Sequence, residues 1–246
     1  MLQVIYRRLD TSISFFQSFI FHQLCEPFLV GRSHMQKKTK LNWVLDPGKC
    51  LSIRDARKLI RTAKLSAEKA INKGQRIAYR DYFIINLAIS TGLRVMEMAQ
   101  LNCGDLYLDG KAFFVLVRKG KGNRARLVQI NHEFKKHCQE YLMWKQAIGE
   151  PTDSMAPLIL SSNTKHYMTT RALQNVFKKI AARGNLSPHY SIHCLRHTYA
   201  CLLYKASNYN LRLVQKQLGH ASIKTTQVYA DVIAPDATRA VEKLWG

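Results

Sequence analysis

Two arginines, a lysine, two histidines and a tyrosine are the side chains here with the most to offer chemically. Thr91-Gly-Leu-Arg94 places an arginine just after a helix-ending glycine; alone, it reads as a surface residue after a turn. Gly120-Lys121-Gly122 is a glycine-flanked lysine at a hairpin tip; alone, it is an ordinary turn with a solvated charge. It is not a phosphate-binding P-loop, since no Gly-Lys-Ser/Thr opens a helix. His193 and Arg196 lie three apart and share a helical face. The run HCLRHTYA around them otherwise looks buried, and a buried arginine needs an anionic partner. His220 follows a helix-terminating glycine, and Tyr229 ends a short helix where a tyrosine ordinarily packs.

Taken together, these types match one reaction. Phosphoryl transfer at a DNA phosphodiester needs a nucleophile, cationic donors for the nonbridging oxygens, an acid for the leaving oxygen and a base for the nucleophile. Planar arginines pair bidentately with phosphate. Two arginines plus a lysine can replace the metal ions that many nucleases use, and the sequence offers no carboxylate cluster for two metals. The residues therefore point to covalent catalysis without metal or cofactor.

The elements that must position these groups follow from periodicity. Ser52 with Asp55 three residues on is a helix start, and Ala56, Leu59, Ile60, Ala63 and Ala67 recur at helical spacing. Helices are expected over 79–90, where Gly92 follows, and over 95–101. Residues 105–109, 112–118 and 126–130 are rich in Val, Leu, Ile, Phe and Tyr and separated by glycines, which predicts a small antiparallel sheet with two hairpins. Helices resume at 132–148, 169–183, 192–206, 210–218, 222–230 and 235–245. The expected fold is mainly α with a small antiparallel three-stranded sheet.

The chain has 246 residues and a formal net charge of +22. From Cys50 onward 31 basic and 13 acidic residues leave +18, so the excess is not a detachable tail. Such a surface calls for a polyanion, and nucleic acid is the usual one. A solvated basic surface, a ribosomal protein or a membrane-surface protein is the plainer alternative. None of the six cysteines forms a CxxC pair, which suits free thiols in a reducing compartment. The most apolar window, 13–30, is interrupted by Gln17, His22, Gln23 and Glu26 and does not read as a membrane span. Export is not expected, and a cytoplasmic, nucleoid-associated location is.

The segments TGLRVMEM, VRKGKGNRARLVQI, HCLRHTYA and LGHASIKTTQVYADV occur in this order, and from about residue 51 to 233 the chain closely resembles the tyrosine recombinases, the phage integrases and Xer-type resolvases. The resemblance implies the tyrosine recombinase catalytic-domain fold. It also implies a site-specific recombinase that cleaves and rejoins double-stranded DNA through a 3′-phosphotyrosyl link. Tyr229 would be the nucleophile, and Arg94 and Arg196 would clamp the nonbridging oxygens. Lys121 would protonate the leaving 5′-oxygen, His193 would take or share the tyrosine proton, and His220 would bond a phosphate oxygen. Glu97 would orient neighbours such as Arg94. Lys119, Arg118, Arg124 and Arg126 are expected to touch backbone phosphates, a solvated hairpin being the alternative. His197 is expected to face the core or to back the site. The partners implied are DNA, further copies of the chain in a tetramer on DNA, and accessory DNA-bending proteins.

The first 49 residues depart from that pattern. They lack clean periodicity, and Gly-Arg-Ser-His-Met at 31–35 resembles a cloning junction. An N-terminal extension, poorly ordered or not native, is expected before a catalytic domain over 50–246. Most family members carry a helical DNA-binding domain ahead of the catalytic one, and this segment does not read as a four-helix bundle. Two other readings share the fold: a topoisomerase-like relaxing enzyme, and a DNA-binding regulator that has lost activity.

Overall fold

The computed structural model describes residues 49–71, 75–118, 125–220 and 222–232. The expected C-terminal helix over 235–245 and the expected N-terminal extension, apart from Lys49, lie outside them.

Helix α1 spans Ile53–Ile71. The Ser52 hydroxyl accepts the Asp55 N–H at 3.0 Å, satisfying one of the amides that a helix start leaves open. Its buried face is Ala56, Leu59, Ala63, Ala67 and Ala70, and four alanines let it lie close on the next helix. That helix, α2 (Ile77–Thr91), is the centre of the fold. It packs against α1 and against three later helices, α4 (His132–Ala147), α5 (Thr170–Arg183) and α6 (Ile192–Ala206). Apolar on nearly every side, it buries Phe83, Ile84, Ile85 and Leu87 completely. Phe83 stacks on Tyr141 of α4 with ring centroids 3.7 Å apart.

Between α2 and α4 lie the short helix α3 (Val95–Ala99), a 3-10 turn at Cys103–Asp105 and the sheet. Its strands β1 (Leu106–Tyr107), β2 (Phe113–Val117) and β3 (Arg126–Ile130) pair antiparallel in that order. Phe113 faces Ile130 and Val117 faces Arg126, so the β2–β3 hairpin opens directly beyond Arg126. Phe113, Val115, Val117, Val128 and Ile130 point into the core. The last two described helices are α7 (Leu211–Leu218) and α8 (Lys224–Val232).

Helix α3 and strand β1 are shorter than their residues predict, each because a polar group is diverted. Helix α3 stops at Ala99 because Leu101 turns its carbonyl to the Leu158 amide, 2.8 Å away. Strand β1 starts late because the Asp105 carboxylate folds back onto the Asn102 N–H at 2.8 Å and also pairs with Arg118.

Candidate active site

The site forms where four helix termini meet. Helix α2 ends at Gly92, whose φ of 60° is the left-handed conformation that suits glycine. A Cβ there would also run into the Tyr199 ring of α6. The turn delivers Arg94 to the start of α3. The Glu97 carboxylate reaches back to accept the Arg94 backbone N–H and its Nη1, both at 2.9 Å. Arg94 stays partly open to solvent while Glu97 is buried.

Arg196 is buried on α6 and holds two carbonyls. Its Nη1 donates to Gly92 O at 2.6 Å and its Nη2 to Leu218 O at 2.9 Å. Both acceptors sit at helix C-termini, where free carbonyls and the negative end of the dipole favour a cation. Burial and the Arg94 charge lower its pKa to about 10, which leaves it charged at neutral pH. A buried arginine calls for an anionic partner; two backbone carbonyls fill that need instead.

Helix α7 ends at Gly219, with φ of 65°, and hands the chain to His220. His220 Nδ1 lies 3.0 Å from the buried Thr226 hydroxyl. Burial, then Arg196, Arg94 and Arg126, press its pKa down to about 3. A neutral ring that accepts at Nδ1 carries its proton on Nε2, free to donate.

Tyr229 of α8 is buried against Ala200, Tyr204, Val214 and Leu218. Its ring stacks on His220 with centroids 6.3 Å apart, and its hydroxyl lies 3.1 Å from His197 Nδ1. Burial raises its pKa to about 12 against the opposing pull of Arg196. His197 is neutral, its pKa lowered to about 4 by burial and by the His193 and Arg196 charges. His193 stands at the exposed start of α6 with its ring 6.5 Å from His197, and burial of its inner part, Arg196 and Arg94 lower its pKa. The hydrogen bond to the Tyr229 hydroxyl therefore belongs to His197 rather than His193. The i, i+4 spacing of the two histidines was the signal available for it.

The expected phosphate contacts divide. Arg118 is partly exposed, with Nη2 3.0 Å from Asp105 and 3.3 Å from Gln100 O. Arg126 turns inward: Nη1 and Nη2 grip the two Glu97 oxygens at 2.9 and 2.8 Å, and Nε donates to Gln217 O at 3.2 Å. All three of its guanidinium nitrogens are engaged by protein groups. Lys119, Lys121 and Arg124 lie outside the described residues. Burial works to raise the Glu97 pKa, but the Arg126 fork, with the Arg94 amide and charge, outweighs it and lowers the pKa to about 2. Two arginines on one carboxylate leave a net positive charge at this corner, and Arg196 adds to it. Beside His193 a cleft of about 400 Å³ is lined by Arg171, Gln174, Asn175 and Lys178 of α5. No motif in the sequence singles out that polar helix face. No group of three metal-ligating side chains occurs among the described residues.

Tyr229 lies within α8 rather than at its end as expected, and a mainly helical domain that gathers two arginines, a neutral histidine pair and this tyrosine can hold an anion beside a phenol. The phage integrase family matches residues 51–234, and the chain belongs to that family. It is 36% identical over 165 residues to the tyrosine recombinase XerC of Caldanaerobacter subterraneus subsp. tengcongensis, covering 67% of this chain and 44% of that protein. It is 33% identical over 187 residues to the tyrosine recombinase XerD of Brucella melitensis, covering 75% of this chain and 59% of that one. The chain thus spans about half the length of the curated relatives it matches. Among solved structures it resembles the XerH site-specific recombinase bound to its difH substrate, with a TM-score of 0.60 and 24% identity over 80% of this chain and 53% of that one. That likeness bears out the expected fold.

Proposed function

We propose that this chain is a tyrosine-type site-specific recombinase that cleaves and rejoins double-stranded DNA through a covalent bond to Tyr229. The observation that carries the reading is the buried Arg196 guanidinium, fixed on two helix-end carbonyls, with Arg94 beside it and the Tyr229–His220 stack close by.

The Tyr229 oxygen attacks the scissile phosphorus as the bond to the 5′-oxygen breaks. The phenol proton passes to a neutral histidine, His197 by contact, with His193 next to it. Arg94 and Arg196 take up charge growing on the nonbridging oxygens, and His220 donates from Nε2. Lys121, from the hairpin that opens beyond Arg126, protonates the departing 5′-oxygen. The phosphotyrosyl link conserves the bond energy, so a partner strand's 5′-hydroxyl reverses the step without ATP, metal or cofactor. Arg118, with Lys119 and Arg124, contacts backbone phosphates. Arg171, Gln174 and Asn175 are of the types that pair with guanine and adenine edges in a major groove. Strand exchange between duplexes calls for a tetramer on DNA, with accessory bending proteins, in the cytoplasm at the nucleoid. No helix among the described residues is long and apolar enough to cross a membrane.

The test is a pool of nicked duplexes of randomised sequence, incubated with the protein and captured as denaturation-resistant adducts. Wild-type protein enriches a defined sequence as a phosphotyrosyl adduct, with EDTA present throughout. Tyr229→Phe binds the same duplexes and yields none. Equal adduct from Tyr229→Phe, or none from wild type with duplex binding intact, overturns the reading.

A further inference from the structure

Arg126 is the first residue of β3, where the hairpin closes against Val117, and Lys121 lies five residues before it. Its fork takes both oxygens of Glu97, and the same two oxygens hold the Arg94 amide and guanidinium. Its Nε caps the Gln217 carbonyl, next to the Leu218 carbonyl that Arg196 caps. The backbone beyond rests on its stem: a Cβ at Gly219 would lie 2.6 Å from Arg126 Cδ. Gln217 ties the same corner again, its side-chain oxygen accepting the Gln129 N–H at 3.1 Å. The Arg126 side chain is only 12% exposed.

Three segments from distant parts of the chain therefore meet on one guanidinium: the Arg94 turn, the hairpin root and the Gly219–His220 turn. We infer that Arg126 is a positioning residue for DNA cleavage, a strut that sets the hairpin root and the His220 turn against Arg94, and not a contact to DNA. The inference rests on the recombinase reading above. It follows from the number of groups one planar fork satisfies. A lysine has the charge and a similar stem but cannot span both Glu97 oxygens and a carbonyl at once. Displacing a catalytic group by an ångström slows a reaction without weakening the binding of its substrate.

The experiment compares the full chain with Arg126→Lys, Arg126→Ala, Glu97→Gln and the Arg126→Lys/Glu97→Gln double variant. Affinity for a random-sequence duplex is measured across a salt series. Adduct formation is timed in single turnover at saturating concentration of the enriched duplex. Amide exchange is followed at Gly219 and His220. Arg126→Lys is expected to leave affinity and salt slope as in wild type, to slow adduct formation about 100-fold, and to speed exchange at both amides. The double variant is expected to be no slower than Glu97→Gln alone, since both changes remove one fork. If Arg126 is instead a phosphate contact, the salt slope falls by about 1 while the saturated rate holds, and the inference is overturned. Unchanged exchange at Gly219 and His220 overturns it as well. Should Arg126→Ala fail to fold, Arg126→Lys carries the same test. Failure of the recombinase reading is separate: wild type then gives no adduct, while salt slope and amide exchange still report on Arg126.

Discussion

The Tyr229 hydroxyl and His197 Nδ1 stand 3.1 Å apart, with the phenol protonated and the imidazole neutral. This donor–acceptor pair gives the proton of the proposed nucleophile a destination. With the Tyr229 pKa near 12, spontaneous phenolate is scarce at neutral pH, so the proton must be taken during attack. His197→Ala is expected to slow adduct formation about 100-fold with duplex affinity unchanged, and His193→Ala to slow it less. Because His197 stays neutral down to about pH 4, the single-turnover rate should not decline between pH 8 and pH 5. A decline within that range, or a larger loss from His193→Ala, would move the proton to His193, whose pKa burial, Arg196 and Arg94 lower.

Gly219 offers a contrast with Gly149. Both have positive φ, 65° and 77°, so alanine is strained at each. A Cβ at Gly149 meets nothing within 4 Å, while one at Gly219 meets the Arg126 stem. Gly149→Ala should cost about 1 kcal/mol of backbone strain. Gly219→Ala should cost about 2–3 kcal/mol and slow adduct formation as well. Urea denaturation of the two variants decides; equal losses would mean that Arg126 simply swings aside.

Stability should fall with acid in two stages. His137, His197 and His220 have native pKa values near 3, 4 and 3, below the ordinary 6.5. The unfolded chain therefore binds protons below pH 6.5 that the native state refuses, and stability drops as pH falls from there towards 4. The slope has a ceiling of about 1.4 kcal/mol per pH unit for each histidine. Glu97 acts lower: its native pKa is about 2 against 4.5 unfolded, so its contribution is intact above pH 4.5 and disappears as pH falls to 2. That contribution has a ceiling of about 3 kcal/mol. Denaturation midpoints at pH 7.5, 5.5 and 3.5 test this, and Glu97→Gln should flatten only the lower stage. A midpoint unchanged between pH 7.5 and 5.5 would contradict the histidine part.

What could be read before the structure was local, and what escaped depended on distant partners. The 192–206 helix matches its expected span because the spacing of its apolar residues acts within a few residues. The Arg94–Glu97 pair follows from the family resemblance of TGLRVMEM, and it too is local, at i, i+3. Glu97's second partner lies 29 residues on, and no spacing rule could find it. Arg126 looked like a phosphate contact because a basic hairpin ordinarily faces DNA. Its inward turn is decided by the buried carboxylate that only the fold brings there. His197 is expected to face the core or to back the site, but its contact with Tyr229 is not legible for a similar reason: that relation spans 32 residues and requires α8 to fold back onto α6.

Arg196 and Arg94 would both clamp the phosphate, yet their substitution should separate catalysis from stability. Arg196 is buried and ties the end of α2 to the end of α7 through two carbonyls. Lysine cannot span both, so one buried acceptor loses its partner, at a cost of about 1–3 kcal/mol. Arg94 is partly exposed, and the backbone N–H that Glu97 accepts survives any side-chain change. Arg94→Lys should therefore cost under about 1 kcal/mol. Both variants should slow adduct formation by about 100-fold to 1000-fold, the scale of losing one preorganised donor to a developing charge. The measurement pairs urea denaturation with single-turnover adduct formation on one enriched duplex. If Arg196→Lys proves as stable as wild type, the two carbonyls are satisfied some other way. The rigid placement argued for its guanidinium then fails, even if the rate falls as expected.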